Sequence, residues 1–301
     1  METDLYKSRS LSSCIKAAFT LFSTNLKTIF QRSWIAMLVC SISATIIVYT
    51  SFKFVNVATN AITIATLPLV AGITGCLLLS ILAGTYLIGS ITSLLNEESK
   101  MTNIRRSFFS LLLLYVIIFI VTAIIVAGTV SISIHLAKAK TPLATTDIYT
   151  LGYITVIAII AITLFIPLIY VISQYIFGKS NKLYRNFGTN LHTGFRHWGF
   201  IFGTILMATF ITCLIQCITN LPAEILNHAK EIDMQGLMLG DPSGLPSYFT
   251  ALYLCIIFLT SFVDSFISFI FIFTMYYIYG SVVAREEERK EGRKAISQDN
   301  D

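Results

Sequence analysis

The sequence predicts an all-α polytopic membrane protein. Its six transmembrane helices are expected as three repeated hairpins, each preceded by a cytoplasmic amphipathic segment. Three observations lead there. Composition is the first: 55% of the 301 residues are hydrophobic and 12% charged, about half the charge of a typical soluble domain. The second is a series of six apolar runs, at roughly 33–55, 62–92, 107–134, 148–177, 199–221 and 248–280. Each is long enough for a hydrocarbon core of about 30 Å. The third is an internal repeat. FSTNLKTIF (Phe22–Phe30) returns as FGTNLHTGF (Phe187–Phe195), with Phe22/Phe187, Thr24/Thr189, Asn25/Asn190, Leu26/Leu191, Thr28/Thr193 and Phe30/Phe195 identical. The two tryptophans, Trp34 and Trp198, come after the two copies, and a degenerate third copy, TNIRRSF, stands at Thr102–Phe108.

The repeat divides the chain into 1–95 for an amphipathic helix plus hairpin 1, 96–178 for hairpin 2, and 179–281 for an amphipathic segment plus hairpin 3. A charged tail, 282–301, completes one membrane domain. Lys and Arg orient it. Residues 1–32, 93–106, 178–198 and the tail hold seventeen of the 21, while the other connections hold only Lys53, Lys138, Lys140 and Lys230. By the positive-inside rule both termini are cytoplasmic. The net charge of +5 is thus a topology signal and points to no nucleic-acid partner.

Residues 10–30 carry Leu11, Cys14, Ile15, Ala18, Phe22, Leu26 and Ile29 at helical spacing, with Lys16, Thr20, Ser23 and Lys27 opposite. Such a helix lies in the headgroup plane and anchors the first span, or docks lipid or a partner. In the spans, rows of small residues at four-residue spacing predict close helix packing. These are Ala36, Cys40 and Ala44; Gly72, Cys76, Ser80 and Gly84; Ala123, Ala127 and Ser131; and the pair Gly199 and Gly203. Pro167 should kink the fourth span, because proline removes a backbone donor. The amphipathic stripe returns over Lys182–Arg196, through Leu183, Phe187, Leu191 and Phe195. Leu221–Pro246 reads as the longest loop, with a short helix over Ile225–Asp233 and a GDPSGLP turn. Tyr248–Gly280, with 33 residues, is about 50 Å long as one helix. The tail REEERKEGRK reads as a solvated helical end with Glu286 four residues before Lys290.

Asp264 is the one acid deep in an apolar run, flanked by Ser261, Ser265 and Ser268, with Gln216 available from the fifth span. A carboxylate at mid-membrane costs about 2.5–3.5 kcal/mol on insertion scales. One reading is a proton or cation site with Ser261, Ser265 and Gln216 as co-ligands. The preferred reading is a neutral acid hydrogen-bonded to serines and a neighbouring helix, since no Lys or Arg lies deep in a span to pair with it. Catalytic and cofactor signatures are lacking. GKS at Gly178–Ser180 has no glycine five residues earlier, and the four histidines stand at no zinc spacing. The six cysteines form no CxxC and read as packing residues.

The aromatic–x–TNL segment, together with the exit YIYGSVVAREEERKEG (Tyr277–Gly292), resembles the membrane domain attached to some bacterial glycerophosphodiester phosphodiesterases and its stand-alone six-helix relatives. The resemblance implies a bacterial inner-membrane location. It carries no catalytic residue across, because the phosphodiesterase domain of such proteins is a separate soluble unit.

These features leave three functional classes. The first is a non-enzymatic membrane component that packs with the lipid bilayer, a partner membrane protein or a second copy. The second is a small transporter or channel coupled through Asp264. The third is an intramembrane enzyme.

Overall fold

The computed structural model describes residues 4–58, 67–96, 98–138, 143–178 and 187–298; within them the side chains of 51–58, 67–71, 137–138, 143–147 and 295–297 are left aside. Lys140, Lys182, Leu183 and Arg185 lie outside the described residues, and so does the start of the expected third amphipathic stripe. Every described element is helical: α1 (Leu11–Thr24), α2 (Leu26–Ala58), α3 (Leu67–Leu95), α4 (Lys100–Lys138), α5 (Leu143–Phe177), α6 (Phe187–Arg196), α7 (Trp198–Met238), α8 (Phe249–Ile267) and α9 (Phe269–Gln298). Six stretches are long and apolar enough to cross a membrane: Leu26–Thr50, Gly72–Leu95, Lys100–Leu136, Ile148–Phe177, Trp198–Met238 and Phe249–Lys294. The chain is a multi-pass integral membrane protein. Its contacts divide it into two compact units, one of Met1–Leu5, Arg9–Ile104 and Thr204–Tyr277, the other of Tyr6–Ser8, Arg105–Gly203 and Ile278–Asp301.

In the first unit, α2 packs against both α3 and α8. Its buried stripe is Ile29, Ser33, Ala36, Met37 and Ser41, a helical spacing. Ser33 and Ser41 donate to the carbonyls of Ile29 and Met37, so neither hydroxyl needs a partner across the seam. On α3 the buried row is Cys76, Ala83, Leu87 and Ile91. Near its end, a Cβ on Gly89 would stand 2.6 Å from Ile104 Cα, so only glycine lets α3 meet the start of α4. There Asn96 and Asn103 exchange two amide hydrogen bonds of 2.9 and 2.8 Å.

Ser10 caps the start of α1, accepting from the Ser13 N–H. Asn25 ends it, with its amide donating to the Leu21 carbonyl at 2.9 Å. The apolar face expected to meet lipid is covered by the protein instead. Cys14, Ile15, Ala18, Leu21 and Phe22 are buried, and the Phe22 ring lies 5.1 Å from that of Phe266. Leu11 and Leu26, placed on that face by their spacing, are exposed. The break at Asn25 changes the helix phase and takes Leu26 off the stripe.

The fold corrects several of the sequence expectations. The long loop from Leu221 is absent, because α7 runs through Pro222 to Met238. It ends at Gly240, whose φ of 93° is the left-handed conformation that terminates helices. The Asp233 carboxylate then holds the turn, accepting from the Ser243 hydroxyl and from the Gly244 N–H at 2.8 Å. The sixth segment is two helices that meet at Ser268. Gly199 makes no close contact; a Cβ there would meet nothing within 4 Å. Of the six free cysteines only Cys14 and Cys76 are buried, whereas Cys213, Cys217 and Cys255 are exposed.

The second unit holds the proline gap of α5. Pro167 has no N–H to give the carbonyl of Thr163, four residues earlier. The indole of Trp198 donates to that carbonyl at 3.3 Å. α5 stays helical from Leu143 to Phe177 through the proline. One turn before Trp198, a Cβ on Gly194 would come within 2.8 Å of Pro167 Cα, so α6 rests directly on the α5 backbone. Arg106, 3% exposed, donates to the Gly178 carbonyl at 3.1 Å just past the end of α5, where a cation favours the negative end of the helix dipole. Tyr153 donates to the Ile124 carbonyl at 2.8 Å and joins α5 to α4.

Candidate functional site

Two polar clusters stand out, one in each unit. In the first unit, Asp264 faces α7. Asn220 Nδ2 donates to its Oδ2 at 2.7 Å, and Thr219 Oγ1 lies 3.3 Å from its Oδ1. Asn220 Nδ2 also donates to the Gln216 carbonyl at 3.0 Å, which fixes the amide the right way round. Thr219 Oγ1 is 3.1 Å from the same carbonyl. A threonine hydroxyl has one hydrogen. It can therefore serve the Gln216 carbonyl or Asp264 Oδ1, while Asn220 Nδ2 donates to the other carboxyl oxygen. The cluster anchors the Asp264 carboxyl group of α8 to α7.

The residues expected around Asp264 are only partly assembled. Ser265 donates to the Ser261 carbonyl at 2.8 Å and Ser268 to the Ser265 carbonyl at 2.7 Å. These hydroxyls bond back along their own helix, Ser265 half-buried and Ser268 exposed. Gln216 contributes its backbone carbonyl. The side chains that reach Asp264 from α7 are those of Thr219 and Asn220. Asn220 was legible as a polar residue on the Gln216 face; Thr219, one position earlier, was hidden by that same periodicity.

The second cluster lies on α6 and α9. Glu286 accepts two bonds from Arg196 Nη1, at 3.0 and 3.1 Å, and one from His197 Nε2 at 2.8 Å. Arg289 approaches it at 3.6 Å. The tail is helical to Gln298 and exposed at Glu287, Glu288, Lys290, Glu291, Arg293 and Lys294, a solvated helical end, but Glu286 pairs with Arg196 of α6 rather than with Lys290. Beside this knot opens a cleft of about 620 Å³, a volume within the usual range for small-ligand sites. Three helices build it. α6 contributes Thr189, His192, Thr193 and Arg196; α9 contributes Glu286, Arg289, Lys290 and Arg293; Tyr170 and Gln174 of α5 complete it. The α6 and α9 sets each follow a spacing of 0, 3, 4 and 7, one face of a helix. That spacing was the signal available in the sequence, and the charged run concealed it.

No protein-family model matches the chain, and neither a curated protein nor a solved structure is significantly similar to it.

The repeat residues fall differently in the two copies. In the first, the helix breaks inside the motif at Asn25, and Phe30 and Trp34 stand exposed on α2. In the second, Phe187, Thr189, Asn190, Leu191 and Phe195 all belong to α6, and Trp198 opens α7. Thr189 and Asn190 line the cleft, while Thr24 and Asn25 close α1 through bonds to Thr20 and Leu21.

Proposed function

We infer that the protein is a non-enzymatic component of the bacterial inner membrane, with both termini in the cytoplasm. Its work is to engage lipid and a partner helix within the bilayer. One observation carries this reading: the small-residue row of α4 faces outward. Ala123, Ala127 and Ser131 are all exposed. Long apolar residues alone suit lipid; a row of small ones lets a second helix approach closely. The distribution of Lys and Arg supports the orientation, and the resemblance to the phosphodiesterase membrane domain supports the location.

A photo-crosslinker placed at position 127 tests this in native membranes. The expected result is one discrete protein adduct, from a second copy or another membrane protein, which Ala123→Trp abolishes. Lipid adducts alone at position 127 would remove the partner. The reading as a transporter or channel rests on Asp264, and the bonds from Thr219 and Asn220 favour an anchoring role for that residue.

A further inference from the structure

We propose that the α5–α6–α9 cleft binds a phosphate-bearing anion, presented as a lipid headgroup phosphodiester or as a soluble phosphate ester. Charge is the first argument. Arg196, Arg289, Lys290 and Arg293 line the cleft against two acids, Glu286 and Glu287. Glu286 is already engaged by Arg196 and His197. Among the described residues, Lys290 and Arg293 form no ion pair, so two cations on one face of α9 are available to an incoming anion. Guanidinium groups suit phosphate because their forked donors match its oxygens.

Donors from α6 extend the site. Arg196 Nη2 lies 3.3 Å from His192 Nδ1; arginine can only donate, so Nδ1 accepts and Nε2 is the donor nitrogen of the ring. The hydroxyls of Thr189 and Thr193 and the amide of Asn190 share the lining. Gln174 Oε1, on the α5 side, is buried with no hydrogen-bond partner. An acceptor in that position suits a hydroxyl of the bound molecule, as on a glycerol or sugar phosphate.

Position is the remaining argument. Tyr170 and Gln174 sit in the last turns of α5, where its apolar run ends at Phe177. On α9 the apolar run gives way to charge at Arg285. The cleft therefore opens at the depth of lipid phosphates, where basic pockets between spanning helices recognise headgroups. The inference stands apart from the α4 reading, and its test uses different residues and a different readout.

The full chain, purified in a neutral detergent, is titrated with three probes: dihexanoyl phosphatidylglycerol, inorganic phosphate, and dihexanoylglycerol, which has the same chains without a phosphate. The expected result is selective binding of a phosphate-bearing probe. That affinity should fall about tenfold or more in Lys290→Gln/Arg293→Gln, as expected for losing charge-assisted contacts. Gly188→Leu is the second variant. Gly188 lines the cleft and a Cβ there meets nothing within 4 Å, so the larger side chain fits without a clash and should obstruct binding while the thermal midpoint holds. Tighter binding of the phospholipid than of inorganic phosphate assigns the site to a headgroup; the reverse order assigns it to a soluble ester. Equal affinity for dihexanoylglycerol, or unchanged affinity in both variants, overturns the proposal.

Discussion

Asp264 and Glu286 each hold a carboxyl group against a neighbouring helix, and they are satisfied by opposite chemistry. Asp264 meets a neutral amide and a neutral hydroxyl, Asn220 and Thr219, on α7. Glu286 meets two cationic partners, Arg196 from α6 and Arg289 from its own helix, together with His197. The difference comes from where each residue stands along its helix. Inside an apolar run a cation would add its own desolvation cost, so neutral donors complete the acid. Beyond Arg285 water is at hand and charge-assisted bonds become favourable, because both partners are only partly desolvated. The first arrangement fixes a helix register. The second leaves spare cations beside it, and from these a binding cleft can be made.

The comparison can be broken most severely at its platform. Gly194→Val places atoms where the Pro167 backbone already stands, 2.8 Å from the Cβ position. It should lift α6 from α5 at a cost of about 3 kcal/mol, read as a lower thermal midpoint of the purified protein. Asp264 belongs to the other unit, so its hydrogen bonds should survive this change. An unchanged midpoint would show that α6 does not rest on α5 as described.

Changing acid to amide at each site sharpens the contrast. Glu286→Gln leaves Arg196 and His197 without a charged acceptor and should cost about 2 kcal/mol, the scale of hydrogen bonds to charged groups. High salt should shrink that loss by screening. Asp264→Asn is the smallest expected effect. The new amide can accept from Asn220 and donate to Thr219, so stability should change by less than about 0.5 kcal/mol. Adding Na⁺ should leave the wild type and this variant equally stable. A Na⁺-dependent midpoint in the wild type that is lost in the Asp264→Asn variant would make Asp264 an ion site and restore the transporter reading.

The spans were legible because they depend on run length and hydropathy alone, which neighbours do not alter. Pro167 was legible as a disturbance but its repair was not. The donor that fills the gap at Thr163 is Trp198, 35 residues away in sequence, and no local pattern connects the two. Pro222 misled in the other direction. It falls within the loop expected over Leu221–Pro246, yet α7 continues through it, since helical hydrogen bonds on either side outweigh one missing donor. Ser261 and Ser265 looked like ligands of Asp264, with Ser268 flanking it, because they cluster around it in sequence. In the fold two of the three hydroxyls reach a carbonyl one turn back on their own helix, a bond that needs no tertiary partner.

The sequence by itself determined that this is a multi-pass helical membrane protein, since runs this long and apolar can satisfy their backbone polar groups in lipid only as helices. It also marked Asp264 as the one acid needing an explanation, by the cost of a carboxylate in hydrocarbon. Tertiary structure alone decided which donors meet that acid. It decided too that Trp34 and Trp198, placed alike after the two repeat copies, do different work. Trp34 stands exposed on α2, whereas Trp198 completes α5. The physical reason is directionality. Apolar burial depends on amount and period, which a sequence states outright; a hydrogen bond or ion pair depends on angle and distance, which exist only once helices are placed side by side.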